Sequence, residues 1–301
     1  MSAATRTPTV GITIPFFDHQ SDYATILEVA RRSEECGYDS VWMADHLSRP
    51  SPQGGSRWFD VVTLLSNIAA HCPRIAIGTD ILVVPYRHPI LAAKMLATLD
   101  VVSGGRLTVG TGVGYIEEEF EDLGGPFAER GPYTTECIQI WKKIWAGGTI
   151  SHRGKFFEFD GVVSDHVPVQ RPGPPVWIGG SVPATLRRVV EVGDGWHPIF
   201  LPLDQVESKT RQLKDMADRA GRTQPITLSY SAGFGSVGPD SASSADRAPL
   251  TGPIDDVRRD IDRLIELGFT NIVFRFGSTS ASNEHVLRQI ELVAEHILPR
   301  L

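Results

Sequence analysis

Two adjacent titratable residues, Asp45 and His46, close the apolar run Ser-Val-Trp-Met-Ala and are the first place in the chain where proton chemistry could occur. Imidazole exchanges protons near neutral pH more readily than other side chains, so His46 is a candidate acid/base or ligand-orienting donor, with Asp45 as its orienting partner. The competing reading has Asp45 capping the next loop and His46 packing beside it. Asp80 sits inside Ile-Ala-Ile-Gly-Thr-Asp-Ile-Leu-Val-Val-Pro, where a carboxylate must be hydrogen-bonded or line a cavity. Arg87 and His88 suit either an anion or a surface turn, and the run Glu117, Glu118, Glu119 reads as a solvated helix face. Gly110-Thr-Gly-Val-Gly114 lets a ligand approach the backbone closely but lacks the G-x-G-x-x-G spacing of a nucleotide fingerprint. Gly179-Gly-Ser181 joins a strand to a helix N-terminus, which suits a phosphate or forms a plain turn.

These groups have to be positioned by strands and helices that alternate along the chain, the rhythm of a parallel α/β protein. Strands are expected at Thr9 to Ile14, Asp39 to Asp45, Ile75 to Val83, Arg106 to Gly112, Val176 to Gly179, Gly195 to Ile199, Ile226 to Phe234 and Asn271 to Phe276. Helical stripes follow, such as Tyr23, Ile26, Leu27, Ala30 and Leu91, Met95, Leu99, Val102. Later helices are expected near Phe59 to Ala70, Thr135 to Trp145, Ala184 to Val192, Leu203 to Ala220, Ile254 to Leu267 and Glu284 to Leu298. Eight strand-helix units in 301 residues predict one (β/α)8 barrel spanning 1–301, with a hairpin insertion at about 147–175 after the fourth unit. A doubly wound sheet is the lesser alternative, because its glycine fingerprint would follow the first strand. Asp45, His46 and Asp80 then fall at the barrel's C-terminal face, where such folds build their sites. The long Ser/Pro/Gly loop Gly235 to Pro253 on that face is a lid or a surface loop.

Composition removes several classes of function. The chain carries 29 Lys and Arg against 36 Asp and Glu, a net charge of −7, with no basic cluster longer than a pair, so nucleic acid is not expected as a partner. No apolar run approaches the roughly 20 residues that cross a bilayer, and the polar start Met1 to Pro8 lacks a signal core, so a cytoplasmic address and no membrane partner are expected. Cys36, Cys72 and Cys137 are widely spaced and read as small buried residues; Trp141, Trp145 and Trp177 read as core. No metal-ligand, P-loop or G-x-S-x-G motif is present, so no metal is expected.

Several segments in fixed order resemble the luciferase-like monooxygenase superfamily, and within it the oxidoreductases that use the deazaflavin coenzyme F420. They are Gly37-Tyr-Asp-Ser-Val-Trp-Met-Ala-Asp-His46, Pro85-Tyr-Arg-His-Pro89, Leu99-Asp-Val-Val-Ser-Gly-Gly-Arg-Leu107 and Gly110-Thr-Gly-Val-Gly-Tyr115. Pro126 to Gly131, Gly154 to Phe159, Pro175 to Gly180 and Gly193 to Trp196 continue the likeness over nearly the whole chain. The resemblance implies a (β/α)8 barrel, a homodimer, and hydride transfer between F420 and an organic small-molecule substrate. It also implies a non-proline cis peptide at Asp80–Ile81 beneath the cofactor ring. By position, Val83, Gly112, Gly114, Tyr115 and Glu118 would line the cofactor. Gly179, Gly180, Ser181 and Val182 would hold its phosphate, with help from Arg187 or Arg188, and His46 would sit beside the ring. Tyr115 and Pro50 stand where sugar-phosphate dehydrogenases of this class carry an acid and a tryptophan, so glucose 6-phosphate is not the expected substrate. A monooxygenase using reduced FMN is the runner-up, and a non-catalytic flavin- or deazaflavin-binding protein is the third reading.

Overall fold

The computed structural model describes residues 8–16, 20–47, 58–238, 247–277 and 281–301. In chain order its strands are β1 (Thr9–Thr13), β2 (Ser40–Met43), β3 (Ala76–Thr79), β4 (Leu82–Val83), β5 (Leu107–Gly112), β6 (Gly148–Arg153), β7 (Glu158–Ser164), β8 (Val176–Gly179), β9 (Gly195–His197), β10 (Thr227–Ser231) and β11 (Asn271–Phe274). The ring runs β1-β2-β3-β5-β8-β9-β10-β11 and closes where β11 pairs with β1, every neighbouring pair being parallel. This is the expected eight-stave barrel. The third stave is broken: β4 continues β3 beyond a cis peptide at Asp80–Ile81 and pairs with the far end of β5.

The helices are α1 (Tyr23–Glu35), α2 (Val61–His71), α3 (Pro89–Val102), α4 (Glu117–Leu123), α5 (Arg130–Ala146), α6 (Pro183–Val192), α7 (Leu203–Arg219), α8 (Ile254–Glu266) and α9 (Asn283–His296). Asp22, Asp60 and Ser282 start α1, α2 and α9 by accepting the N–H three residues on, at 3.0, 2.8 and 3.1 Å. Pro89 and Pro183 open α3 and α6, where a missing N–H costs nothing. The acidic run Glu117 to Glu119 is helical as its reading implies, but Glu119 is buried rather than solvated.

Inside the barrel, Trp42 and Trp177 stack at 5.5 Å, and glycines on neighbouring strands make the space. A Cβ on Gly78 would lie 2.3 Å from the Trp42 ring, and one on Gly195 would lie 2.5 Å from that of Trp177. Trp141 and Trp145 are buried outside the ring as expected. Cys72 and Cys137 are buried too, but Cys36 is half-buried, because it stands at the surface end of α1.

The insertion is the antiparallel hairpin β6–β7. Buried Glu136 of α5 anchors its tip by accepting N–H bonds from Lys155, Phe156 and Phe157 and by facing His152 Nε2 at 3.1 Å. Of the loop between His46 and Arg57 only His46 and Leu47 are described, and residues 239–246 of the expected lid lie outside the described residues.

Candidate active site

One position recurs around the barrel mouth. Phe16, His46, Tyr115, Val182, Phe200 and Phe234 each stand three residues beyond the end of β1, β2, β5, β8, β9 and β10, and all six border one cavity of about 430 Å³. A residue so placed has left the strand ladder but is still held by it, so its side chain turns over the mouth. Asp45, Asp80, Ile81, Val83, Gly112, Gly114, Gly179, Gly180 and Ser181 line the same cavity. The expected site residues therefore meet there, except Glu118 and the two arginines Arg187 and Arg188.

Glu118 is exposed, and its neighbour Glu119 is the acid turned inward, with a side chain 0% exposed. Glu119 faces His46 Nδ1 at 3.2 Å, accepts the Leu47 N–H at 2.8 Å and accepts the Tyr86 hydroxyl. Burial pushes its carboxyl up, but the bonds from His46, Tyr86 and Leu47 outweigh that and hold it below the usual range. The Tyr86 hydroxyl is pushed well above the ordinary phenol range by burial and then by Glu119. An ionised carboxylate only accepts, so Nδ1 of His46 carries the hydrogen and Nε2 is the nitrogen left for a ligand. Trp58 and Tyr115 flank the imidazole at centroid distances of 4.8 and 5.6 Å.

The expected role of Asp45 also needs correction. It does not orient His46. Its oxygens take a bidentate bond from Arg87 at 2.6 and 2.9 Å and the Val83 N–H at 3.0 Å, so the guanidinium outcompetes the neighbouring imidazole. Arg87 reaches on to Asp60, tying the end of β2 to the start of α2. Arg87 therefore serves neither an anion nor a free surface turn.

Below the mouth lies a buried polar knot. Asp80, with a side chain 0% exposed, accepts Thr13 and Ser231 hydroxyls at 2.9 Å each and the Arg275 guanidinium at 2.5 Å, and faces His197 Nε2 at 3.1 Å. Desolvation raises its carboxyl, but Arg275 and then His197 hold it well below the carboxylate range. His197 packs beside the stacked Trp42 and Trp177 rings, at 5.1 and 5.9 Å from their centres, and its Nδ1 meets Ser229 at 2.7 Å. The expectation for Asp80 was a hydrogen-bonded group or a cavity wall; it is both.

At the opposite rim, Trp196 Nε1 holds the Gly180 carbonyl at 2.8 Å, and Gly180 has φ 96, a backbone region that favours glycine. No side chain caps α6 and no acid stands in its first turn, so its N-terminal end is open at the cavity rim. Arg187 is exposed, and Arg188 is buried against Thr135 at 3.0 Å; neither lines the cavity. Phe200 has φ 58, a conformation that costs a non-glycine residue about 1–3 kcal/mol.

The model of the family described as "Luciferase-like monooxygenase" matches residues 8–285. The chain belongs to this family. Among its relatives, the F420-dependent glucose-6-phosphate dehydrogenase of Microbacterium testaceum is 28% identical over 92% of this chain and 93% of that protein. A monooxygenase from Streptomyces bottropensis has a similar structure, with a TM-score of 0.81, 24% identity and coverage of 97% of this chain and 99% of the other. The coenzyme F420-dependent tetrahydromethanopterin reductase of Methanopyrus kandleri has a TM-score of 0.79 at 20% identity, covering 98% and 99%. For a luciferase-like protein, the residues that sequence reading missed are Glu119, Tyr86, His197, Arg275 and the aromatic set Phe16, Trp58, Phe200 and Phe234. A signal existed for Arg275, a charge inside the apolar run Ile-Val-Phe-Arg-Phe, the same anomaly that flagged Asp80. Among the described residues no cluster of His, Cys, Asp and Glu has the makings of a metal site, and no helix is long and apolar enough to cross a membrane.

Proposed function

We propose that this protein is an oxidoreductase that moves a hydride between the deazaflavin coenzyme F420 and an organic substrate. The observation that carries the reading is the arrangement of a single cavity. An apolar floor at Ile81 and Val83 lies between the uncapped start of α6 at one rim and the His46–Glu119 pair at the other. Relatives named for F420 support the choice of cofactor.

The residues fit such a group. A planar ring needs a flat apolar floor, and a Cβ on Gly112 would lie 1.9 Å from Ile81 Cδ1, so glycine there lets Ile81 form that floor. An anionic tail needs N–H donors, and the Gly179 to Val182 turn with the start of α6 provides them. When bound, the deazaflavin supplies the hydride chemistry that no side chain here can. Glu119 fixes the Nδ1–H form of His46, whose Nε2 takes or returns the proton on the substrate oxygen. Phe16 and Trp58 stack at 4.7 Å and keep water from that side of the imidazole. Asp45 and Arg87 hold the Val83 backbone in the floor.

Fluorescence titration with F420 and with FMN tests the reading. Binding of F420 at micromolar concentration, followed by substrate-dependent change at its absorbance band, is expected. Tight FMN binding with oxygen consumption would overturn it in favour of a monooxygenase. Tight binding of either cofactor with no turnover would leave a binding protein. A homodimer belongs to the same proposal, supported by the outer face of α3, where Leu91, Val101 and Val102 are 55, 50 and 53% exposed. Sedimentation equilibrium at the monomer mass would reject it.

A further inference from the structure

The cavity carries an aromatic wall that hydride transfer by itself does not require. Phe16, Trp58, Phe200 and Phe234 come from four separate connections and line the same cavity as His46, which Trp58 touches. Phe16 stacks on Trp58 at 4.7 Å and 26°, meets Phe234 edge-on at 5.9 Å, and Phe234 meets Phe200 at 5.5 Å. Phe200 is 46% exposed despite its left-handed backbone, so the strain places a ring at the mouth without burying it. A wall of rings offers faces and edges to another flat ring.

Behind the wall, the Arg275 guanidinium lies 5.1, 5.3 and 5.9 Å from the centres of Phe200, Phe234 and Phe16. Its charge is matched by Asp80, but its Nε is buried without a hydrogen-bond partner, and so is Trp58 Nε1. The wall therefore faces the cavity with rings rather than with charge, and the two unpaired N–H donors are buried in it. Among the described lining residues Arg275 is the single Lys or Arg, and Asp80 already pairs with it.

We infer that the substrate is a flat, uncharged, ring-bearing carbonyl compound or the matching alcohol, its ring against Phe200 and Phe234 and its oxygen toward His46. The redox part of this inference rests on the proposed F420 reading; the binding part does not. Calorimetric titration of the protein, with saturating F420 and without it, would use 1-tetralone as the probe, 2-naphthoate as its charged counterpart and glucose 6-phosphate as a polar control. Tetralone should bind at least tenfold tighter than either control. Phe200→Ala and Phe234→Leu should each weaken it about tenfold, and circular dichroism should show both variants folded. Phe200 is exposed, so its truncation tests the wall even where Phe234→Leu fails to fold.

Equal or tighter binding of naphthoate or glucose 6-phosphate would overturn the inference, as would tetralone affinities in Phe200→Ala within twofold of the parent. The F420 fluorescence titration separates the two readings. Tetralone binding without F420 binding leaves the substrate class standing and removes the cofactor; F420 binding without tetralone binding does the reverse. If neither binds, both fall.

Discussion

Replacing Glu119 by glutamine probes the contact on which the proposed proton chemistry of His46 depends. The parent carboxylate receives the Leu47 N–H on Oε1 and both His46 Nδ1 and the Tyr86 hydroxyl on Oε2. Glutamine keeps one oxygen and turns an NH2 toward the other side, so at least one donor faces another donor as long as His46 keeps its hydrogen on Nδ1. A buried donor left unpaired costs about 1–3 kcal/mol, and each surviving bond drops from charge-assisted to neutral, a loss of about 1 kcal/mol. Glu119→Gln should therefore lower stability by about 3 kcal/mol, or roughly 5 °C in Tm for a domain of this size. Urea unfolding followed by two probes gives the free energy. Nitrogen-15 spectra of the His46 ring give the second readout: Nδ1–H in the parent, with Nε2–H gaining population in the variant. A loss under about 1 kcal/mol, or an Nε2–H ring in the parent, would refute the assignment of Glu119.

Asp80→Asn leaves the buried Arg275 without its counter-charge and should cost about 3–5 kcal/mol by denaturant unfolding, whereas a cost below about 1 would mean the knot contributes little. Because the Asp80 carboxyl is depressed in the fold, its stabilisation is complete above the ordinary range near ~4 and drains away as pH falls below it; the parent should lose stability with acid more steeply than Asp80→Asn, and parallel slopes would contradict the shift. Gly110→Ala sets a Cβ 2.1 Å from the Thr79 carbonyl oxygen, which is backbone, so scanning calorimetry should show at least ~3 kcal/mol of destabilisation and a parental Tm would show that the strands can part there. His46→Ala should cut turnover about 100-fold or more while F420 affinity moves less than about fivefold, and near-parental turnover would remove His46 from the reaction.

The scaffold was legible because its signals are local. The strand Val176–Gly179 has the bounds its apolar run implies, and the helices fall within a few residues of their expected bounds, α5 starting five residues early at Arg130; the expected α3 stripe, however, leaves Leu91 and Val102 exposed, because Ala92, Leu96 and Leu99 face the core. The barrel mouth was half legible. Motif resemblance reached His46, Tyr115 and the Gly179 to Val182 turn, but Phe16, Phe200 and Phe234 occupy the equivalent step beyond their strands and carry no motif. Choosing Glu118 over Glu119 was an error of helical phase. Ile116, Glu119 and Phe120 fall at spacings of three and four and are buried together, whereas one residue earlier the side chain swings about 100° toward water. Partner choice was illegible: Asp45 lies next to His46 in sequence, yet pairs with a guanidinium 42 residues away. Adjacent residues on a strand end point apart, and only the folded chain shows which distant group each one meets.

The Asp80 knot also constrains how such a chain can be divided. Its carboxylate and Thr13 belong to the first half of the barrel, while His197, Ser231 and Arg275 arrive from the second, 117, 151 and 195 residues later. An amino-terminal half made alone would bury the Asp80 anion with no cation, and a carboxy-terminal half would bury the Arg275 cation with no anion. Each half thus carries an electrostatic debt that only the other can cancel. Two separately expressed halves should find one another or remain unfolded, and recombining this half-barrel with that of a relative would require the charges to be exchanged as a set.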